Sequence, residues 1–274
     1  MTVDGRAGVE LRRSADRAVT TSPGLLSRHS FSFGAHYDPG DVGFGLMLAH
    51  NDDEVAPGSG YDEHRHRDVE IVTWVVEGRL RHSHAGGGDR VLGPGCVQRV
   101  HAGDGVVHAE VNAGAGPLRF VQVWLPSAQP DEPPSYASRC GLDDALAAGS
   151  PVVVASGLAR DAGGPGLRLV HPAAALHVVR PVGPVLLPSA PCLHVYVARG
   201  RVRLDGARLL GEGDAARVTG GPALSVRPAG DPDGAEVLVW EMHTDQERCR
   251  FRARWRGGHL SGDHRGPPVA VRGT

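Results

Sequence analysis

Glu77-Gly78-Arg79-Leu80-Arg81 is followed, across a short gap, by Leu92-Gly93-Pro94-Gly95-Cys96-Val97-Gln98-Arg99-Val100. Both pieces occur a second time, as Arg199-Gly200-Arg201-Val202-Arg203 and Leu210-Gly211-Glu212-Gly213-Asp214-Ala215-Ala216-Arg217-Val218. The order is the same, and the intervening hairpin is four residues shorter in the second copy. Each piece joins a short apolar run to Gly or Pro, the pattern of a strand and its turn. A unit that recurs in this way implies one β-structure built twice.

The rest of the chain agrees with that reading. Glu70–Glu77, Leu118–Leu125, Cys192–Ala198 and Glu236–Met242 are short Val/Leu-rich runs with turn residues between them. Helical periodicity is rare, and 143–148 is its best short instance. Many short strands and few short helices predict an all-β fold of barrel or sandwich type. The expected organisation is an N-terminal copy over 1–128, a linker over 129–150 and a C-terminal copy over 151–244. An Arg/Gly-rich tail over 245–274 is expected to be poorly ordered.

Composition excludes more than it assigns. The chain has 274 residues, enough for two medium domains, and a net charge of -2. That balance predicts no nucleic-acid partner. No run reaches the ~18–20 apolar residues of a membrane span, and the N-terminus has no apolar leader segment. All 29 basic residues are Arg, a compositional bias without functional content. Four cysteines (Cys96, Cys140, Cys192, Cys249) form no CxxC pair, so reduced thiols and a cytoplasmic location are expected.

Fifteen histidines are unevenly placed. Two clusters stand out: His64-Arg65-His66 and His108-Ala109-Glu110. Side chains at i and i+2 of a strand share a face. If both strands face a barrel interior, two imidazoles meet an imidazole–carboxylate pair. Three neutral imidazoles and a carboxylate suit one divalent ion, whether Fe, Mn, Ni, Co, Cu or Zn. Strand parity leaves Glu70 open as well, since it matches His66. His82 and His84 precede Gly86-Gly87-Gly88 and are read as polar residues at a hairpin end. His101 receives the same structural reading, as do His171, His177, His194 and His243 in the second copy.

These motifs carry a resemblance. Gly58, His64-x-His66, Glu70 and Gly78 resemble the first cupin motif. Gly93-Pro94-Gly95 followed by His108-x-x-x-Asn112 resembles the second. Ser27-Arg28-His29-Ser30-Phe31-Ser32-Phe33-Gly34, His64 to Gly78 and Ala102 to Glu110 together resemble the pirin family, in its bacterial quercetinase-like branch. Arg65 stands where that family often has Pro.

The resemblance implies a bicupin, two jelly-roll β-barrel domains packed together. It puts one divalent metal, foremost Fe(II), on His64, His66, His108 and Glu110. Glu70 is then placed behind the ligands, accepting the second N–H of a ligand imidazole. The implied activity is metal-dependent dioxygenation of the quercetin 2,3-dioxygenase type. A flavonol ring would be cleaved with O2 and CO released, with Glu110 taking the substrate proton. The implied partners are a flavonol-like aromatic molecule and O2, and the chain is expected to be a monomer. The alternative is a non-enzymatic, iron-dependent regulatory protein that senses redox state. Extending the internal repeat without gaps sets Val226 and Pro228 against His108 and Glu110, and Leu186 and Pro188 against His64 and His66. The C-terminal copy is therefore expected to lack metal ligands.

Overall fold

The structure, a computed structural model, describes residues 8–84, 87–205, 207–221, 223–230, 234–245 and 249. Apart from Asp245 and Cys249, the expected Arg/Gly-rich tail lies outside the described residues.

The chain is almost entirely strands. They run β1 (Gly8–Arg12), β2 (Ala18–Ser22), β3 (Leu25–His29), β4 (Ala49–Val55), β5 (Gly60–His66), β6 (Val69–Glu77), β7 (Leu80–His84) and β8 (Arg90–Leu92). Then follow β9 (Val97–His101), β10 (Val106–Asn112), β11 (Leu118–Pro126), β12 (Ser135–Arg139), β13 (Val152–Ser156), β14 (Leu167–Arg168) and β15 (Ala174–Val179). The remainder are β16 (Val185–Leu186), β17 (Cys192–Arg199), β18 (Val202–Leu204), β19 (Arg208–Leu210), β20 (Ala215–Thr219), β21 (Ser225–Pro228) and β22 (Glu236–Met242). Among the described residues the one α-helix is α1 (Asp143–Ala147), at the predicted place.

Two compact units result. Among the described residues, one holds 18–43 and 47–140; the other holds 8–17, 44–46 and those from 141 to 249. Each has a seven-stranded and a four-stranded sheet. In the first unit the orders are β12-β9-β6-β11-β4-β3-β2 and β5-β10-β7-β8. In the second they are β1-β20-β17-β22-β15-β13-β14 and β16-β21-β18-β19. The small sheets and the central strands β9-β6-β11-β4-β3 and β20-β17-β22-β15-β13 follow one order used twice, as the sequence repeat implies; the outer strands of the large sheets differ.

Two expectations about boundaries change. The supposed linker, 129–150, is not a bare connection: β12 lies within it and pairs with β9, from Ser135↔His101 to Arg139↔Val97. β1 joins the second unit, pairing with β20 from Gly8↔Thr219 to Arg12↔Ala215. Edge pairing of this kind depends on which backbone groups remain open at a sheet edge, which periodicity does not encode.

The cysteines also differ from expectation. Cys96 is bonded to Cys140, and Cys192 to Cys249. Their partners are 44 and 57 residues away, so spacing gives no hint of the pairing. The β12–β9 register, ending at Arg139↔Val97, brings Cys140 beside Cys96.

Apolar residues facing inward from both sheets build each core. In the first unit Val75 and Phe120 of the large sheet pack with Leu80 and Leu92 of the small one. In the second, Val195, Val218 and Val239 meet Val202, Leu204 and Val226. The glycine that begins each repeat is fixed by two constraints. Gly78 has φ 80°, and a Cβ there would sit 2.3 Å from the Pro117 carbonyl oxygen. Gly200 has φ 68°, and its Cβ would meet the Gly234 oxygen at 2.6 Å. Gly78→Ala should therefore lower stability by about 2–3 kcal/mol, from left-handed strain and backbone contact together. A shift in the urea midpoint at unchanged m-value measures it.

Candidate metal centre

The small sheet of the first unit positions the site. β10 lies between β5 and β7, and two rows of side chains cross the three strands. One row is His64–His108–His84, by the pairings His108↔His64 and His108↔His84. The other is Tyr61–Glu110–His82, by Glu110↔Tyr61 and Glu110↔His82. Between the rows the β5 register shifts, so that Asp62 and Glu63 stand opposite Ala109 alone. This β-bulge lets Tyr61 and His64 face the same way despite their odd spacing. The Asp62 carbonyl in the bulge accepts a hydrogen bond from His64 Nδ1 at 2.7 Å.

His64, His66 and His108 converge, with one ring nitrogen from each within 4.8 Å of the others. Ring centroids lie 4.7 Å apart for His64–His66, 4.5 Å for His64–His108 and 5.0 Å for His66–His108. Burial disfavours the imidazolium at all three. His66 is pushed down to about 3, by desolvation first and the neighbouring His64 second. His108 lies well below the ordinary range for the same reasons, and His64 is lowered by burial. Neutral rings are what a metal requires. Among the described residues, the buried Nε2 of His108 has no hydrogen-bond partner. A cation answers that orphaned acceptor, and the donor set fits a divalent transition metal.

Glu110 is buried on the same face but is not one of the converging group. Its Oε1 accepts from Gln98 Nε2 at 2.6 Å, and its Oε2 from Gln122 Nε2 at 2.8 Å. Both amides also reach Thr73 Oγ1, at 3.3 and 3.2 Å. Burial pushes the Glu110 carboxyl up to about 7, although the two amide hydrogen bonds oppose the shift. Asp53, on β4, is likewise raised to about 7 by burial and accepts from Tyr61 at 3.2 Å.

Glu70 does not sit behind these ligands. It is buried on β6 opposite His101, in the row that includes Val72↔Arg99. Thr73, whose hydroxyl meets the site's glutamines, lies on the other face of β6. Between His66 and β6 the chain turns through Asp68 at φ 61°, which breaks the alternation on which the parity argument relied. Two of the second nitrogens are held elsewhere: His64 Nδ1 by the Asp62 carbonyl, and His108 Nδ1 by His82 Nε2 at 3.0 Å.

His82 therefore departs most from its expected role as a hairpin-end residue. It is fully buried, and its ring stacks on Tyr136 of β12 at 4.5 Å and 10°. The signal was present in the sequence: His82 and His84 share the i, i+2 relation that singled out the ligand pairs. Gln98 and Gln122 were also missed. Their signal is a lone polar residue on the inward face of an otherwise apolar strand. Aromatic groups complete the surroundings. Trp124 meets His66 edge-on at 4.9 Å, and Phe33 packs on Trp124 at 5.3 Å.

In the second unit the pairings are Val226↔Val185 and Val226↔Leu204, the counterparts of Glu110↔Tyr61 and Glu110↔His82. Val226 thus matches Glu110, and Leu224 matches His108. The gap-free alignment is wrong by two residues, because the stretch before β21 is shorter than the one before β10. The residues at the corrected positions, Leu187, Leu224 and Val226, are apolar and buried. His177 and His243 are engaged with Glu241, and His171 Nδ1 accepts from the Ala173 amide.

The family model that matches the chain is Pirin, over residues 12–125. A protein of Mycobacterium tuberculosis (strain H37Rv) named "Putative quercetin 2,3-dioxygenase" is 47% identical over 241 residues, 86% of this chain and 96% of that one. The "Quercetin 2,3-dioxygenase" of Escherichia coli K12 is 33% identical over 132 residues, 48% of this chain and 57% of its own. Among solved structures, the bacterial pirin YhhW of Escherichia coli in complex with nickel(II) superimposes with a TM-score of 0.76. It is 25% identical and covers 86% of this chain and 100% of its own.

Proposed function

Because the chain belongs to the pirin family, we propose that it is a metal-dependent dioxygenase acting on a flavonol-like aromatic substrate. The ion would be held by His64, His66 and His108, with Glu110 as the fourth ligand and Fe(II) as the resident metal. The observation that carries the reading is the convergence of three buried or half-buried imidazoles beside the buried Glu110 carboxyl. The names of the relatives support the substrate class, and the nickel complex of YhhW supports a divalent ion.

When bound, such an ion supplies Lewis-acid stabilisation to a substrate oxyanion and redox access to O2. The chain's own residues supply the rest. Glu110, buried on the face of the three histidines, takes the proton of the flavonol 3-hydroxyl. Gln98 and Gln122 hold that carboxyl in place; as a ligand, Glu110 exchanges one amide hydrogen bond for the ion. Trp124, beside His66, and Phe33, packed on Trp124, offer apolar ring surface to a planar substrate. Both atoms of O2 enter the organic product and one ring carbon leaves as CO, so no external reductant is consumed.

The test follows flavonol absorbance and O2 uptake with protein loaded in turn with Fe, Mn, Ni, Co and Cu. Turnover with at least one ion is expected, and Glu110→Gln should lower kcat by about 100-fold or more. Absence of turnover with every ion would remove the dioxygenase reading and leave metal-dependent binding as the activity of the fold.

A further inference from the structure

We propose that His82 is a positioning residue for the metal centre. It accepts the His108 Nδ1–H and so locks His108 in the tautomer whose Nε2 lone pair is free for the ion. The inference rests on His108 being a ligand and deepens that reading.

The argument is one of hydrogen-bond inventory. His108 has two ring nitrogens. Nδ1 lies 3.0 Å from His82 Nε2, and Nε2 is buried with no partner. Nε2 is therefore the atom His108 can offer to a cation. A neutral imidazole that offers Nε2 must carry its proton on Nδ1, and that proton points at His82. His82 Nε2 must then be the acceptor, which puts the His82 proton on Nδ1, a buried atom without a hydrogen-bond partner among the described residues. Carboxylates and carbonyls more often serve behind a metal-bound histidine. Here the carbonyl role falls to Asp62 behind His64 and the imidazole role to His82 behind His108.

The surroundings hold His82 in that pose. Its ring is 0% exposed and lies flat against Tyr136. The Tyr136 hydroxyl donates to Gln98 Oε1 at 3.2 Å, and Gln98 holds Glu110. Strand β12 thus braces the backs of His108 and Glu110 together. His84, two residues further along β7, leans on the same tyrosine at 5.3 Å.

Three variants of the full chain separate this role from simple packing. His82→Phe keeps the stack on Tyr136 and removes the acceptor. His82→Leu removes both, and His82→Gln places an amide oxygen near the original Nε2. Metal affinity is read by chelator competition, and the Co(II)-loaded ligand-field spectrum reports ligand geometry. The expected result for Phe and Leu is a 10- to 100-fold loss of affinity with an altered spectrum. Gln should regain most of the affinity, although metal-free stability need not follow that order. Wild-type affinity in a folded Phe or Leu variant overturns the proposal, as does a Gln variant as weak as Phe. His108→Ala is measured alongside. If that variant keeps its metal, the ligand assignment itself has failed, an outcome distinct from failure of His82 alone.

Discussion

His108→Ala should yield a folded protein that no longer retains stoichiometric metal. His108 is central to the site: it is paired with His64 on one side and His84 on the other, and only 1% of its surface is exposed. Structural zinc sites bind with roughly 10–16 kcal/mol from four ligands; on that scale one ligand is worth about 3 kcal/mol, or over 100-fold in affinity. The variant also strands His82 Nε2 without its partner, at a cost of about 1–3 kcal/mol to the fold. These losses separate experimentally. Wild-type melting should rise with added metal, by about 4 kcal/mol of stabilisation at a thousandfold excess over Kd. The variant should melt lower and, at the same metal concentration, gain no more than about 1.4 kcal/mol. Val107→Ala is the control, since Val107 is 41% exposed on the opposite face of the same strand. Elemental analysis after gel filtration gives the metal-to-protein ratio. A His108→Ala ratio equal to wild type would remove the candidate centre.

Much of this was legible because strands have a period of two. The duplicated Gly and Leu-Gly-x-Gly pieces gave the two-copy topology, and the i, i+2 histidines gave the ligand face. Parity fails wherever the backbone leaves the regular strand. The bulge at Asp62–Glu63 and the left-handed Asp68 are backbone events without a clear residue signature. They bring Tyr61 onto the site face and turn Glu70 away from it. His82 was discounted because a glycine turn follows it, although the turn begins only after His84 and leaves β7 regular. Long-range pairings such as β1 with β20, or Cys96 with Cys140, depend on the folded edges and on no local pattern.

In the second unit the largest effect should come from Glu241→Gln, at about 3 kcal/mol. Glu241, on β22, is fully buried. It accepts from His177 Nε2 at 2.9 Å, from His243 Nε2 at 2.6 Å and from Arg160. Burial alone would raise its pKa; the hydrogen bonds from His177, Arg160 and His243 outweigh it and hold the carboxyl down to about 2. A folded pKa below the unfolded value means stability that is complete above about pH 4.5 and is lost as pH falls toward 2. The shift from 4.5 to about 2 corresponds to about 3 kcal/mol at neutral pH. Glutamine cannot reproduce it: its amide offers one oxygen, and its NH2 faces a donor. Hydrogen exchange of the Glu236–Met242 strand reads this unit separately from the other. At pH 7 the variant should exchange through an opening about 3 kcal/mol easier than wild type. Near pH 2.5 the two proteins should converge, because the wild-type carboxylate is by then losing its advantage. A constant difference from pH 7 to pH 2.5 would mean that Glu241 acts through shape rather than charge, and the linkage argument would fail.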